Sequence, residues 1–279
     1  MAACLFTGEK MKNLFDSHTH INDKYFDKGN NRRELIREIE KSDIAYAMDI
    51  GCDLETSVMA VDHAKAYPWC YAVVGYHPHE AKDMGDMELM MIKSLAKKDK
   101  VQAIGEIGLD FHYNHSDQDV QRECFRKQIR LANELKMPIV IHSREADQEC
   151  MDILREEGAF SEERKSWFPL RPDGTKDARV LLHCFSGSRE IGEQYVRQGA
   201  TLSIAGPVTY KNNRKTPAVV EAIPLMHLLI ETDAPWLTPE PMRGKKNKSP
   251  LVEFVARKIA EIKGISYEEV EMRLNSALI

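Results

Sequence analysis

Side chains that can bind metal ions recur in this sequence at the ends of short apolar segments. The segments are rich in Val, Ile and Leu, a composition typical of parallel strands buried on both faces. The candidate ligands are His18 and His20 in DSHTH, Glu106 in AIGEIGLD, His142 in PIVIHSRE, His183 in VLLHCFSG and Asp233 in LLIETDAPWL. In a barrel of parallel strands, all the carboxyl ends meet at one mouth. The pattern therefore predicts that four histidines and two carboxylates converge.

Strand-like and helix-like segments alternate along the chain. Strand-like segments begin near Leu14, Ala45, Tyr71, Val101, Met137, Arg179, Thr201 and His227. Helical patterns between them cover 31–42, 54–66, 87–97, 118–135, 144–157, 189–198 and 217–223. A strand–helix–strand repeat of about 30 residues indicates βαβ units with right-handed crossovers. We predict an α/β fold, a single-domain TIM (β/α)8 barrel. An open doubly wound sheet is the alternative, but it would spread the ligands along a wide edge.

Three segments fall outside this repeat. Residues 1–10 are predicted to be a disordered extension or a remnant of expression, so that the folded domain covers 11–279. The irregular stretch 158–177 is longer than most loops, which predicts either a flap over the mouth or an insertion at an edge. The last part of the chain predicts one helix over 250–263 and another from Ser266 onward, both packed outside the barrel.

Composition narrows the class of protein. The chain is 43% hydrophobic and 30% charged, and it has no apolar run near the ~20 residues of a membrane span. Six cysteines are scattered without paired spacing, which favours neither a zinc knuckle nor a disulfide framework and fits the reducing cytoplasm. The net charge of −5 argues against a broad nucleic-acid-coating surface, so any phosphate contact must be local. We expect a cytoplasmic monomer with no membrane partner.

The candidate ligands divide into two sets. His18 and His20 are two residues apart on a strand, so their imidazoles point to the same face and can share one ion. Glu106, between glycines, is suited to bridge two ions, and His142 and His183 are natural ligands of the second. Asp233 could bind the first ion and accept a proton from water. The alternative interpretations are that the histidines are structural residues of the core, that Glu106 is a surface residue and that Asp233 is the N-cap of a helix.

Six motifs together resemble the TatD family of metal-dependent deoxyribonucleases. They are DSHTH from Asp16, GYHPH from Gly75, GEIGLD from Gly105, HSREA from His142, HCFSG from His183 and ETDAPWL from Glu231. The resemblance, from about Leu14 to the end, implies a TIM barrel, a two-metal centre with the same six ligands, and hydrolysis of DNA phosphodiesters, often from 3′ to 5′. It also implies that His77 lies near the scissile phosphate. Magnesium, manganese and zinc all remain open as the two divalent ions.

Other residues are candidates for contact with the DNA substrate. Arg243, in a basic loop after the eighth strand, has a planar guanidinium suited to phosphate oxygens, and the family pattern carries an Arg-Gly pair there. Arg144 follows a predicted ligand and could meet an anion or pair with a carboxylate. Ser186 offers a hydroxyl. Aromatic residues near strand ends could stack on bases or serve packing, namely Tyr76, Phe111, Tyr113, Phe185 and Trp236.

Two further hypotheses compete with a nuclease. A barrel amidohydrolase acting on a C–N or ester bond would share the H-x-H pair, two later histidines and the last aspartate, but many such enzymes bridge their metals with a carboxylated lysine where Glu106 stands here. A non-catalytic metal-binding module would lack some ligands, and none is lacking. The remaining histidines are expected to be structural, namely His63, His79, His112, His115 and His227.

Overall fold

Eight parallel strands form one sheet in the order of the chain. The structure is a computed structural model that describes residues 13–29 and 31–276, with side chains as far as Glu271, so the predicted extension 1–10 lies outside the described residues. The strands are β1 (Leu14–Thr19), β2 (Ile44–Ile50), β3 (Cys70–Val74), β4 (Val101–Asp110), β5 (Ile139–Arg144), β6 (Val180–Leu182), β7 (Thr201–Ile204) and β8 (Leu228–Ile230).

The sheet closes into a barrel between its first and last strands. Thr19 of β1 pairs in parallel with Ala234, just beyond β8. The Asp233 amide donates to the His18 carbonyl at 2.9 Å, and the His20 amide donates to the Ala234 carbonyl at 2.9 Å. The predicted TIM barrel is confirmed, and closure brings the chain after β8 directly beside the H-x-H pair of β1.

Helices follow the strands and cover the outside of the barrel. They are α1 (Asn31–Lys41), α2 (Leu54–Ala66), α3 (Asp86–Leu95), α4 (Gln118–Leu135), α5 (Asp147–Glu156), α6 (Glu162–Lys165), α7 (Arg189–Arg197), α8 (Lys215–Ala222), α9 (Val252–Lys263) and α10 (Tyr267–Ser276). In α4, Phe125, Ile129 and Ala132 are fully buried. Their spacing of three and four residues places them on one face, which packs on the barrel. None of the helices in the described part of the chain is long and apolar enough to cross a membrane.

Two strands continue past the ligand at which the sequence predicted their end. Gly108, Leu109 and Asp110 of β4 pair with His142, Ser143 and Arg144 of β5. Glu106 therefore lies inside β4. Arg144 is the last residue of β5 rather than the first of a helix, and α5 begins only at Asp147. Pairing between neighbouring strands, which a single apolar run cannot reveal, sets where each strand ends.

The irregular stretch 158–177 packs at the amino end of the barrel, so the hypothesis that it forms a flap over the mouth is wrong. Arg164 of α6 is completely buried. Its guanidinium donates to the carbonyl of Met137 at 2.8 Å and to that of Ala178 at 3.0 Å, just before β5 and β6 respectively. Arg171 donates to the carbonyl of Gly199, which precedes β7, at 2.9 Å. The insertion thus binds backbone acceptors where these three strands begin.

Candidate metal centre

The six predicted ligands meet at the mouth, each carried by a strand or by the residues just after one. They are His18 in β1, His20 directly after it, Glu106 inside β4, His142 in β5, His183 directly after β6 and Asp233 three residues after β8. Glu106 and the two histidines of the H-x-H pair are almost entirely buried. Parallel strands that end at one opening are therefore enough to bring residues from both halves of the sequence together.

One set of ligand atoms surrounds a space between β1, β4 and the end of β8. The Nε2 atom of His18 lies 3.2 Å from that of His20, and also 3.2 Å from Oε2 of Glu106. Oδ1 of Asp233 lies 3.4 Å from His20 Nε2 and 3.8 Å from His18 Nε2. A four-coordinate ion with bonds of 2.0–2.1 Å holds its ligand atoms about 3.3 Å apart. These four side chains therefore fit a divalent cation.

A second set of atoms faces the other oxygen of the same carboxylate. Oε1 of Glu106 lies 2.8 Å from Nδ1 of His142 and 2.8 Å from Nε2 of His183. The two imidazole nitrogens are 3.4 Å apart. Glu106 thus presents Oε2 to one group of ligands and Oε1 to another. This is the arrangement that a carboxylate bridging two cations requires.

Glycines allow β4 to come close enough to its neighbours for this placement. A side chain at Gly108, where φ is +146°, would put its Cβ 1.9 Å from the carbonyl oxygen of His142. A Cβ at Gly105 would lie 2.8 Å from Cβ of Val140. No other residue type could stand at Gly108 without moving β5, because both the space and the backbone angle exclude a side chain.

Neighbouring imidazoles favour the ionised form of both carboxylates of the centre. Burial opposes the ionisation of Glu106, but neighbouring imidazoles, foremost that of His183, lower its pKa well below the ordinary value. Burial acts on Asp233 in the same way, but the hydrogen bond with His20 and the charges of His183, His18 and His20 together outweigh it, so the pKa of Asp233 is also lowered. The site therefore concentrates negative charge where cations would bind.

The histidines of the centre differ in their charge. Burial lowers the pKa of His18. Burial also disfavours the charged form of His183, but Glu106 and Glu231 raise its pKa well above the ordinary value. Burial likewise disfavours the charged form of His20, but the Cys52 thiol and Asp233 raise its pKa well above the ordinary value. A cation that takes these nitrogens must displace protons, so its affinity rises with pH.

Contacts behind the ligands orient their rings. Nδ1 of His20 lies 3.0 Å from the carbonyl oxygen of Ile50, an acceptor only, so this nitrogen carries a proton and Nε2 faces the centre. Nδ1 of His183 lies 3.2 Å from Oε1 of Glu231, which also accepts from the Cys184 amide at 2.8 Å. Such partners fix the tautomer and the ring orientation of metal-binding histidines.

His77 is oriented differently from the ligand histidines. Its Nδ1 accepts a hydrogen bond from the His79 amide at 3.1 Å, so in the neutral ring the proton is on Nε2. Nε2 lies 3.6 Å from Oε1 of Glu106, and burial lowers the pKa of His77 well below its ordinary value. A neutral His77 thus directs an N–H group, not a lone pair, at the centre.

Comparison with known proteins identifies the family. The family model described as TatD-related DNase matches residues 15–278. The chain belongs to the TatD family. A Bacillus subtilis relative named uncharacterized metal-dependent hydrolase YabD is 40% identical over 92% of this chain and 94% of its own. The Erwinia tasmaniensis 3′-5′ ssDNA/RNA exonuclease TatD is 29% identical over 90% of this chain and 92% of its own. The crystal structure of YjjV, a TatD homologue from Escherichia coli, has a TM-score of 0.81 at 24% identity and covers 95% of this chain and 96% of that one.

The predicted substrate contacts of this TatD protein all lie at or near the mouth and are solvent-accessible. Arg144 is exposed, and its guanidinium lies 4.6 Å from the ring centre of Tyr113, so it makes a cation–π contact. Arg243 lies 4.4 Å above the ring of Tyr210 and is also exposed. Ser186, three residues after His183, is exposed as well. None of these residues belongs to the cluster of ligands.

The five aromatic candidates divide by exposure. Tyr76 and Phe185 are buried and serve packing, and Phe111 is partly buried. Tyr113 is 52% exposed and Trp236 is 49% exposed. The Trp236 ring lies 5.2 Å from that of His20, so an exposed indole borders the ligand cluster.

Sequence reasoning missed the groups that support the ligands. Asp110 lies within hydrogen-bond distance of His142, and His79, expected to be merely structural, contacts Asp110 in turn. Glu231 lies within hydrogen-bond distance of His183. For Asp110 a signal was available, because it stands an even number of residues after Glu106 on the same strand. The same period of two had paired the histidines of the H-x-H motif. Glu231 and Asp233 lie beyond β8, where the strand period does not apply.

Proposed function

We propose that this TatD-family metal-dependent hydrolase cleaves phosphodiester bonds of DNA, as a 3′-to-5′ exonuclease on single-stranded or damaged strands, with two divalent cations. The position of Glu106 carries the proposal, because its two carboxylate oxygens face two separate groups of ligands. The name of the Erwinia tasmaniensis relative, an ssDNA/RNA exonuclease, supports a nucleic-acid substrate. When bound, such ions would polarise a phosphoryl oxygen and lower the pKa of a water molecule.

Asp233 is the residue best placed to accept a proton from the attacking water. Its side chain is 15% exposed, against 3% for Glu106 and 0% for His18, so water can reach it. Its lowered pKa keeps it ionised. A carboxylate at this position can take the proton while the oxygen of water attacks phosphorus.

His77 would act on the phosphate rather than on a metal. Its Nε2–H group points at the centre, and a lowered pKa keeps the ring neutral, so it can donate one hydrogen bond to a phosphoryl oxygen. Negative charge grows on these oxygens as the bond to the leaving group breaks. A donor already in place therefore stabilises the transition state.

Exposed rings and cations along the rim suit a flexible strand. Trp236 beside His20 and Tyr113 beneath Arg144 offer flat faces on which unpaired bases can stack. Arg144, Arg243 and the hydroxyl of Ser186 would contact backbone phosphates. These contacts are local, as a chain with a net charge of −5 requires.

The sequence of β4 gives less support to the amidohydrolase hypothesis. A carboxylated lysine would have to come from β4, and Val101–Asp110 contains no lysine. Glu106 stands there instead. A panel of single-stranded DNA, duplex DNA, RNA and small amides, assayed with metal-stripped and reconstituted protein, separates the two hypotheses.

Substitution of Asp233 tests the mechanism. We expect Asp233→Asn to keep the fold and part of the bound metal while hydrolysis of single-stranded DNA falls about 10²- to 10⁴-fold, the usual contribution of a positioned base. Asp173→Asn, in the insertion at the amino end, is the matched control and should be fully active. Wild-type rates in Asp233→Asn would refute the role assigned to this carboxylate.

A further inference from the structure

Asp110 is a buried carboxylate whose two oxygens each meet two N–H groups. Oδ1 accepts from the backbone amides of His112 at 3.1 Å and Tyr113 at 2.9 Å. Oδ2 lies 2.9 Å from Nε2 of His79 and 3.1 Å from Nε2 of His142. The residue is 1% exposed. Four donors converge on a group that can only accept, so the protons of both imidazoles must lie on the Nε2 atoms that face it.

His142 is a predicted ligand whose nitrogen away from the centre, Nε2, faces the Asp110 carboxylate. With a proton on Nε2, the neutral ring has its lone pair on Nδ1, and Nδ1 is the atom 2.8 Å from Glu106 Oε1 and 3.4 Å from His183 Nε2. The ring therefore turns its lone pair toward the second group of ligands. The opposite tautomer would place a proton there and exclude a cation.

We propose that Asp110, braced by His79, is a positioning residue that keeps the proton of His142 on Nε2 and so directs the Nδ1 lone pair to the second ion. This inference rests on the proposed metal centre. His79 is itself fixed, because its backbone carbonyl accepts from the Ser116 hydroxyl at 2.8 Å. The second histidine of GYHPH thus acts through Asp110, while the first, His77, faces the centre directly.

Substitution of Asp110 by asparagine would change which ring nitrogen of His142 carries the proton. The amides of His112 and Tyr113 still need an acceptor, so the asparagine oxygen must remain at the Oδ1 position. The asparagine NH₂ group then faces the two Nε2 atoms and requires each of them to accept. His142 would move its proton to Nδ1, which removes the lone pair from the second group of ligands.

The experiment measures zinc binding by calorimetry and the His142 tautomer by ¹⁵N imidazole NMR of zinc-loaded protein. In the wild type we expect two ions per chain and a proton on Nε2. In Asp110→Asn, affinity for one of the two ions should fall about 10- to 100-fold, the usual effect of losing such a partner. In His79→Phe the fall should be smaller, with the wild-type tautomer, because Asp110 remains.

The matched control is Asp49→Asn. Asp49 is fully buried, and its Oδ2 lies 2.7 Å from Nδ1 of His63, a histidine that is not a predicted ligand. If Asp110 were purely structural, Asp110→Asn would behave like Asp49→Asn. Both variants would then have lower thermal stability and unchanged zinc affinity. Equal zinc affinity in Asp110→Asn and the wild type, with Nε2 still protonated, would overturn the positioning role. Failure of the wild type to bind a second ion would instead refute the two-metal centre itself.

Discussion

The two ends of the barrel differ in what their buried charged side chains face. At the amino end, the Arg164 guanidinium is fully buried and donates to three acceptors, the carbonyls of Met137 and Ala178 and the Asn133 side chain. At the mouth, Nδ1 of His18 and Oε2 of Glu231 are buried and have no hydrogen-bond partner among the described residues. Buried atoms without a hydrogen-bond partner also occur at the amino end, namely Trp69 Nε1, Arg179 Nε and His227 Nδ1. Among the described residues, however, the groups of three or more histidine, cysteine and carboxylate side chains that could share an ion all lie at the mouth.

This difference separates stability from binding. A buried polar group without a partner costs free energy. Nitrogen and carboxylate atoms that face one another at the mouth are useful only if something else binds between them. We therefore expect substitutions at the mouth to remove activity and metal binding, and substitutions at the amino end to reduce stability.

The largest effect should come from Glu106→Gln. Loss of the bridging charge weakens both groups of ligands at once, so hydrolysis should fall by at least about 10³-fold, as when a central electrostatic group is removed. In the wild type, added metal should raise the thermal midpoint, because an ion that binds only the folded state stabilises it. Thermal melts with and without manganese should show no such rise in the variant. A normal rise would mean that Glu106 is not a shared ligand.

The next largest effect should come from Arg164→Met and should be on stability alone. The substitution leaves two carbonyls and an amide oxygen without their donor, and breaking a buried charged network costs about 3–5 kcal/mol. Urea denaturation measures the loss. Arg155→Met, on an exposed part of α5, is the control and should stay within about 0.5 kcal/mol of the wild type. If Arg164→Met lost activity per folded molecule at unchanged stability, the contrast between the ends would fail.

The mouth and the insertion at the amino end differ in how far the sequence could predict them. Apolar runs and their spacing predicted the barrel and the convergence of six candidate ligands at one mouth, because strand period and chain order carry that information. The supporting role of Asp110 depends on β4 continuing beyond Glu106 to pair with β5. The position of 158–177 depends on buried contacts of Arg164 with distant carbonyls. Both are set by tertiary pairing, which no local pattern records.

A smaller effect is expected from Trp236→Ala. If the exposed indole beside His20 stacks on a base, its removal should raise KM for a single-stranded oligonucleotide about tenfold, since one stacked base contributes about 1–3 kcal/mol. The value of kcat should change little. Tyr46→Ala is the control, because Tyr46 is 45% exposed on β2 and lies toward the amino end of the barrel. Equal KM values for the two variants would remove Trp236 from the substrate path.

The smallest effect should come from Glu157→Gln and should depend on pH. Hydrogen bonds from Arg130 lower the pKa of Glu157 in the folded protein. The carboxylate therefore stabilises the fold above the unfolded pKa of about 4.3, and this contribution is lost as pH falls through the lower, folded pKa. We expect the variant to lose about 1 kcal/mol at pH 7 and progressively less below pH ~4, with unchanged activity. A loss that stays the same down to acid pH would show that the ion pair is not its cause.

The most direct test of the account is anomalous X-ray scattering from crystals of active protein grown with manganese or zinc. Data collected at the metal absorption edge count the ions and place them without reference to any assumed ligand set. The account predicts two peaks, one beside each oxygen of Glu106, separated by the ~3.5–4 Å typical of paired catalytic ions. A single peak, or none, in crystals of protein that still hydrolyses DNA would contradict it.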